Sequence, residues 1–162
     1  MSFGYSHVWT ITASATEVFR ALTEPVELRQ WFALGAQVEP RVGGVYRFWG
    51  RHTLATPPED AARQTIIRFE PNVLLAFEWP INEIDTDVTI RLAPARESTT
   101  FSLTHTVSGD LHLPQQGDVI GDFWSRAISN LIAHLAGSSD ISLPDYFSSG
   151  TNDGTTTRAP RS

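Results

Sequence analysis

The apolar residues between Val119 and Ala136 come in adjacent pairs that recur every four positions. The pairs are Val119-Ile120, Phe123-Trp124, Ala127-Ile128, Leu131-Ile132 and Leu135-Ala136. Because an α-helix has 3.6 residues per turn, a stripe that repeats every four residues drifts around the axis by roughly 40° at each step. A flat partner cannot cover such a stripe along its whole length, whereas the hollow of a strongly curved sheet can. The pattern predicts a long helix, capped by Asp118 and ended by Gly137, that lies in a curved sheet.

The segments before this helix predict two short helices and a series of strands. Ser14 to Glu17 forms the pattern of a capping box, and Pro25 suits the first turn of a second helix that ends at Trp31-Phe32. Strands are predicted at 5–11, before and after Gly43-Gly44, and at 63–70, 74–79, 87–93 and 99–107. The Gly43-Gly44 pair predicts a hairpin, since both glycines can take a positive φ. Short links between successive strands favour antiparallel neighbours.

Length and composition exclude several classes of function. A chain of 162 residues suits one domain, which we expect to span 1–147 and to be followed by a disordered tail at 148–162. The net charge of -6 without basic clusters argues against nucleic acid as a partner. The absence of Lys and Cys removes Schiff-base, disulfide and thiolate chemistry. No signal peptide or membrane-spanning run is evident, so we expect a cytoplasmic protein without membrane insertion.

The order of strand, two short helices, six strands and long helix resembles the START/Bet v1-like helix-grip superfamily. Within it the chain resembles the branch named after the activator of Hsp90 ATPase homologue 1. The matching segments are ASATEVFRALTEP at 13–25, QWF at 30–32, VGGVYRF at 42–48, FEP at 69–71, LLAFEW at 74–79, and Phe123-Trp124 with Leu131. The resemblance spans about residues 5–136 and implies an α+β fold, in which about seven antiparallel strands curve around the C-terminal helix. It also implies a hydrophobic cavity, which holds lipids, polyketides or plant hormones in different members.

His105 is the candidate for chemistry inside that cavity. The last strand alternates cleanly, so that Phe101, Leu103, His105 and Val107 share the covered face. His7 lies on the same side of the first strand as Trp9, and in a helix-grip sheet the two strands are neighbours. The imidazoles are therefore expected to approach each other, where they can orient a polar ligand group or act as acid and base. The alternative is a core histidine bonded to a backbone carbonyl or water.

Large apolar side chains are expected to line the cavity around a small hydrophobic ligand. The candidate ligand-binding residues are His7, Trp9, Trp31, Phe48, Phe69, Phe77, Ile90, Phe101, Leu103, His105, Trp124, Ile128 and Leu131. The ligand is expected to enter past the loop at 50–62 and the second short helix. The same residues can instead form a solid core. The pattern leaves open which of Tyr46 and Phe48, and which of Ile66 and Ile67, point inward.

The remaining polar residues fit turns, caps and loops better than a catalytic or metal site. Asp85 and Asp87 flank a hairpin turn, and Asp118 and Asp122 favour a helix N-terminus. Other acidic and histidine residues fall in predicted loops, namely Glu59, Asp60, Asp110, His112 and His52. No ligand spacing typical of a metal site and no phosphate-binding loop occurs, so neither a metal nor a cofactor is expected.

Three functions are compatible with this pattern. The first is the binding of a small apolar molecule, aromatic, polyketide-like or lipid-like. The second is an enzyme of the cyclase or dehydratase kind, in which His105 acts with Arg47, Tyr46 or Asp122. The third is a protein-interaction module, such as a chaperone accessory, which requires an exposed apolar patch. A homodimer is compatible with each of them.

Overall fold

The computed structural model describes residues 2–33, 35–49, 64–80, 85–108 and 116–137. The elements follow the predicted order: β1 (Ser2–Ile11), α1 (Ala15–Thr23), α2 (Pro25–Trp31), β2 (Gly35–Val38), β3 (Tyr46–Trp49), β4 (Ile66–Glu70), β5 (Leu74–Glu78), β6 (Thr86–Pro94), β7 (Thr99–Ser108) and α3 (Gln116–Leu135). The predicted loop at 50–62, the loop before α3 and the C-terminal tail fall mostly or wholly outside these residues. No helix in the described ranges is long and apolar enough to cross a lipid bilayer.

The strands are antiparallel, and each lies beside its neighbour in sequence except β1, which pairs with β7. Five of them are ordered β1-β7-β6-β5-β4, and β2 pairs with β3 in a separate ladder. A bridge between Val45 and Thr65 connects the two ladders, so the seven strands follow one another in space. The inward side chains of the strands and of α3 form one hydrophobic cluster. The predicted α+β helix-grip fold is confirmed.

The two short helices begin where their sequence signals place them. The Glu17 backbone N–H donates to Ser14 Oγ at 3.1 Å, and the Ser14 N–H donates to Glu17 Oε1 at 3.1 Å. This capping box satisfies two N–H groups that a helix start leaves unpaired. Pro25 occupies the first turn of α2, where its missing N–H removes no hydrogen bond. The buried faces of both helices join the core beside the sheet.

Helix α3 carries the winding apolar stripe, but it begins earlier than the sequence predicts. Its first residue is Gln116, so Asp118 lies in the first turn and is not the cap. An acidic residue there still favours the positive end of the helix dipole, which is why both positions fit the sequence. The C-terminal prediction is confirmed, since Gly137 has a φ of 81° and its N–H donates to the His134 carbonyl. Because the apolar stripe drifts around the helix, Ile132 lies outside the core and is 37% exposed.

The link between β2 and β3 is wider than the predicted tight hairpin. Of the two glycines Gly43 and Gly44, only Gly43 has a positive φ, of 84°. Gly44 is required for a different reason, because a Cβ there would lie 2.3 Å from the Glu39 carbonyl oxygen. The Val45 N–H also donates to the Glu39 carboxylate at 3.2 Å. The turn is therefore closed by Glu39 against Gly44, and the expectation of two positive-φ glycines was wrong.

Candidate ligand-binding site

Five aromatic rings from four parts of the chain meet between the sheet and α3. Phe32 follows α2, Phe48 lies on β3, Trp79 follows β5, and Phe123 and Trp124 lie on α3; all five are buried. Ring centroids are 4.8 Å apart for both the Phe32–Phe48 and the Phe48–Trp79 pairs, and 5.8 Å for Trp79–Phe123. Mostly tilted or edge-to-face contacts of this kind are favourable. We call these five side chains the aromatic cluster.

His105 borders this cluster and is held by a directed chain of hydrogen bonds. The Trp124 indole N–H donates to His105 Nδ1 at 3.0 Å, so the ring proton must lie on Nε2. Nε2 is 3.0 Å from Thr86 Oγ1, and the Thr86 hydroxyl donates to the Trp79 carbonyl oxygen. With its proton on Nε2, His105 is therefore the donor to Thr86. Both ring nitrogens of His105 are thus satisfied by protein groups.

Burial fixes the charge of this imidazole. His105 is 0% exposed, and desolvation lowers its pKa from the ordinary 6.5 to about 3. A histidine with such a pKa stays neutral at physiological pH and neither gives nor takes a proton there. The observed environment matches the core-histidine alternative, except that its partners are the side chains of Thr86 and Trp124.

His7 does not meet His105, so that expectation was wrong. The strands are neighbours, but the register places Tyr5 opposite His105 and Leu103 opposite His7. His7 is exposed, and its ring lies between those of Tyr5 and Trp9 at 6.5 Å and 4.5 Å. Helix α3 approaches β1 at Tyr5, where a Cβ on Gly121 would come within 3.0 Å of the ring. His7 therefore lies on an edge strand at the margin of the covered face.

The other predicted ligand-binding residues are mostly buried, and two of them hold the short helices. The fully buried ones are Trp31, Phe48, Phe77, Ile90, Phe101, Leu103, Trp124, Ile128 and Leu131. The Trp31 indole N–H donates to the Ala21 carbonyl at 2.9 Å, which joins α2 to α1. Phe69 is half-buried and packs against Phe19 of α1 at 5.5 Å. Trp9 is also half-buried and contacts Phe101.

The two strand faces that the sequence left open are resolved by burial. Tyr46 and Phe48 both point inward, and so does Ile66, whereas Ile67 is exposed. Ile66 and Ile67 face opposite sides as successive strand residues do, and the break in the β4–β5 register between Ile66 and Arg68 leaves both Ile67 and Arg68 exposed.

The groups suggested as catalytic partners of His105 are engaged elsewhere. The Tyr46 hydroxyl donates to the Leu22 carbonyl at 2.6 Å, and burial raises its pKa. Asp122 pairs with Arg126 at 3.2 Å on an exposed helix face. Arg47 stands between the inward-facing Tyr46 and Phe48, so it belongs to the opposite face of β3. These positions do not assemble the predicted acid–base set.

The carboxylates of Asp87 and Glu78 lie on the outer face of the sheet, where both residues are exposed. Asp87 stands opposite Glu78 across β5 and β6, and its pKa is raised by burial and by the Glu78 charge. Thr65 donates to Glu78 at 2.8 Å. Among the described residues no three His, Asp or Glu side chains gather as metal ligands. Glu59, Asp60, Asp110, His112 and His52 lie outside the described residues.

Three buried residues that sequence reasoning missed, Gln64, Trp79 and Asn130, have side-chain polar atoms without a hydrogen-bond partner among the described residues. Trp79 and Gln64 are both 0% exposed. Within the part of the chain that the structure describes, no hydrogen-bond partner reaches Trp79 Nε1, Gln64 Nε2 or Gln64 Oε1. Strand alternation could have shown Gln64, which shares the inward face with Ile66, once the facing of Ile66 was known. Trp79 resembled an ordinary core residue at the end of a strand.

Fold and interior together define a mixed α+β protein of the START/Bet v1 helix-grip type. The chain belongs to the family described as Activator of Hsp90 ATPase homolog 1-like protein, whose model matches residues 12–136. This agrees with the resemblance drawn from the sequence motifs.

Solved structures with the same fold come from several bacteria. CalU16 from Micromonospora echinospora is 23% identical with a TM-score of 0.67, and the match covers 83% of this chain and 77% of that one. MLL2253 from Mesorhizobium loti is 19% identical with a TM-score of 0.67, and the match covers 83% and 98%. DynU16, described as a putative protein in the dynemicin biosynthetic locus, is 18% identical with a TM-score of 0.66, over 88% and 50%. A comparison with curated proteins finds no match.

Proposed function

We propose that the chain binds a small, largely apolar molecule between the sheet and α3, at the aromatic cluster. The observation that carries the proposal is the pair of buried polar side chains, Gln64 and Trp79, whose hydrogen-bonding atoms lack partners in the described interior. A ligand with a polar group supplies those partners, and its apolar body contacts the rings.

The energetic cost of unpaired buried polar groups favours a ligand-binding role for Gln64 and Trp79 over a purely structural one. A buried donor or acceptor without a partner costs about 1–3 kcal/mol, and most native interiors avoid that cost. The neighbouring His105, Thr86 and Trp124 do avoid it, because they bond to one another. The unpaired atoms of Gln64 and Trp79, beside this hydrogen-bonded chain, support a partner from outside the chain at that position.

The structural relatives support a small molecule as that partner. DynU16 belongs to a biosynthetic locus by its description, and it shares the fold of this chain. The aromatic composition of the interior here suits a planar aromatic or polyketide-like body, since rings of such ligands stack on Trp and Phe.

Binding is better supported than catalysis by His105. A cyclase or dehydratase role requires an imidazole that exchanges protons near neutral pH. Here the ring is closed on both nitrogens and its pKa is about 3. The hydrogen-bonded imidazole therefore serves to hold Thr86 and Trp124, the latter a member of the aromatic cluster, in position.

A thermal-shift screen tests the proposal. The panel contains fatty acids, flavonoids, hydroxycinnamates and polyketide-like aromatics, and the measured quantity is the melting temperature. A ligand that binds only the native state stabilises it by about 2.7 kcal/mol at a hundredfold excess over Kd. We expect a concentration-dependent rise for one chemical class, and no rise anywhere in the panel would refute the proposal.

A pair of tryptophan variants locates the effect. Trp79→Phe removes the unpaired indole N–H, and Trp31→Phe makes the same change where the N–H is bonded to Ala21 between α1 and α2. The ligand-induced shift should fall in Trp79→Phe and persist in Trp31→Phe. Equal shifts in both variants would place the ligand elsewhere.

A further inference from the structure

Gln64 and Trp79 are cross-strand neighbours at the end of the β4–β5 ladder. Ile66 stands opposite Phe77, and the Glu78 N–H donates to the Thr65 carbonyl at 2.9 Å. The same antiparallel register, continued by one residue, places Gln64 opposite Trp79.

Both side chains point into the interior. The Thr65 hydroxyl bonds the Glu78 carboxylate on the outer face, so Gln64 and Trp79 on either side of that pair face inward. The contacts agree, since the Trp79 ring lies 4.8 Å from Phe48 and 5.5 Å from His105. Gln64 and Trp79 therefore lie side by side on the inward face of the β4–β5 ladder.

The other polar side chains of the interior near Trp79 already have hydrogen-bond partners. The Thr86 hydroxyl donates to the Trp79 carbonyl, and the Tyr46 hydroxyl donates to the Leu22 carbonyl. His105 is bonded on both nitrogens. Gln64 and Trp79 thus offer a ligand one indole donor, one amide donor and one amide acceptor, and Asn130 on α3 carries a further buried amide nitrogen without a described partner.

This set of donors and acceptor selects the charge of the ligand group. A carboxylate can accept from the indole but cannot donate to the Gln64 carbonyl, and an ammonium group can donate but cannot accept. A charged group would also be buried among aromatic rings beside a neutral imidazole. Arg47 cannot compensate an anion there, because it belongs to the opposite face of β3. An uncharged hydroxyl meets both requirements.

We infer that the buried end of the ligand carries an uncharged hydroxyl group, phenolic or alcoholic, that accepts from Trp79 and donates to Gln64. The inference rests on the proposed function, because it describes the polar end of the same ligand. It goes further in assigning two recognition residues and in excluding carboxylate and ammonium groups as the buried group.

Four naphthalene probes test the inference with one apolar body. Naphthol carries both donor and acceptor, methoxynaphthalene only the acceptor, naphthalene neither, and naphthoate a negative charge. Affinities are measured by quenching of tryptophan fluorescence at neutral pH. Since a neutral hydrogen bond contributes a factor of about threefold to tenfold, naphthol should bind more tightly than methoxynaphthalene by a factor in that range. Naphthoate should bind most weakly of the four.

Glutamine variants provide the matched control. Gln64→Met removes the amide with little change in shape, and Gln37→Met makes the same change on the exposed face of β2. Naphthol preference should disappear in Gln64→Met and persist in Gln37→Met. The melting temperature of ligand-free Gln64→Met should equal or exceed that of the parent chain, because an unpaired buried amide is lost. Gln64→Leu repeats the test if the first variant folds poorly.

The outcomes separate the two proposals. If the probes bind without any preference for naphthol, or if naphthoate binds most tightly, the inferred hydroxyl is wrong and the proposed function stands. If none of the four binds and the wider panel is also silent, both fall together. A clear loss of ligand-free stability in both Gln64→Met and Gln64→Leu would show that the amide has a structural partner, and would overturn the inference.

Discussion

The chemistry of a buried residue here depends on what each of its polar atoms bonds. The sequence placed His105 on the covered face of β7 correctly, and that position alone allowed either catalysis or packing. Its partners Thr86 and Trp124 each lie 19 residues away, on β6 and α3. Because both residues approach the ring, each of its nitrogens has a hydrogen-bond partner and the imidazole has a structural role. Gln64 is the opposite case, a residue without notable sequence context whose amide is left open.

The neutral His105 should make the protein sensitive to acid. The unfolded chain takes up a proton near pH 6.5, whereas the folded chain resists until about pH 3. The unfolded state therefore binds more protons between these values, and this residue lowers the free energy of unfolding progressively as pH falls from about 6.5 to about 3.

The variant His105→Gln removes this titratable group and tests whether His105 lowers the free energy of unfolding as pH falls. At pH 7 the variant should be less stable by about 1–3 kcal/mol, because the bonds to Thr86 and Trp124 are disturbed. Urea unfolding at several pH values should show the gap between parent and variant narrowing toward pH 4. A gap that stays constant over that range would contradict the assigned pKa.

At the scale of elements, local signals determined where the helices and strands lie and tertiary contacts determined their ends. The capping box and Pro25 fixed α1 and α2, since those signals act within one turn. The start of α3 and the form of the β2–β3 turn were mispredicted. In that turn the Gly43 N–H donates to the Ile66 carbonyl, a contact between distant residues that no local pattern contains.

The two glycines of the β2–β3 turn should respond differently to alanine. Gly44→Ala should lower the free energy of unfolding by roughly 3 kcal/mol, because its Cβ meets the Glu39 carbonyl and the backbone must move. Gly43→Ala should cost about 1 kcal/mol, the strain of a positive φ in open space. Chemical denaturation of both variants measures the order, and a reversed order would refute this account of the turn.

The drift of the apolar stripe gives α3 an internal comparison. Ile128 is fully buried, whereas Ile132, one step further along the same stripe, is 37% exposed. Ile128→Ala should lower the free energy of unfolding by about 3 kcal/mol and Ile132→Ala by less than about 1 kcal/mol. Similar losses for both would mean that the stripe does not leave the core as described.

For the whole molecule, the sequence predicted the fold far better than the candidate site. The winding stripe, the alternation of β7 and the order of elements constrain one another, and together they permit only a helix gripped by a sheet. The site depends instead on which inward polar atoms remain unpaired after packing. That property depends on the packing of β4, β5, β6, β7 and α3 together and is not visible in the sequence. The sequence therefore pointed to His105 and not to Gln64 and Trp79. The domain boundary at 147 and the homodimer stay predictions.

The most direct test of the account observes the indole N–H groups while a ligand is added. The chain has five Trp residues, and ¹⁵N-labelled indoles give resolved NMR signals that single Trp→Phe variants assign. On addition of naphthol, the Trp79 signal should move and its N–H should become protected from exchange with solvent. The Trp31 signal should move much less, because its N–H is bonded to the Ala21 carbonyl and its ring is not part of the aromatic cluster. If Trp79 stays still while only the half-buried Trp9 responds, the ligand binds at the sheet edge and the central claim is wrong.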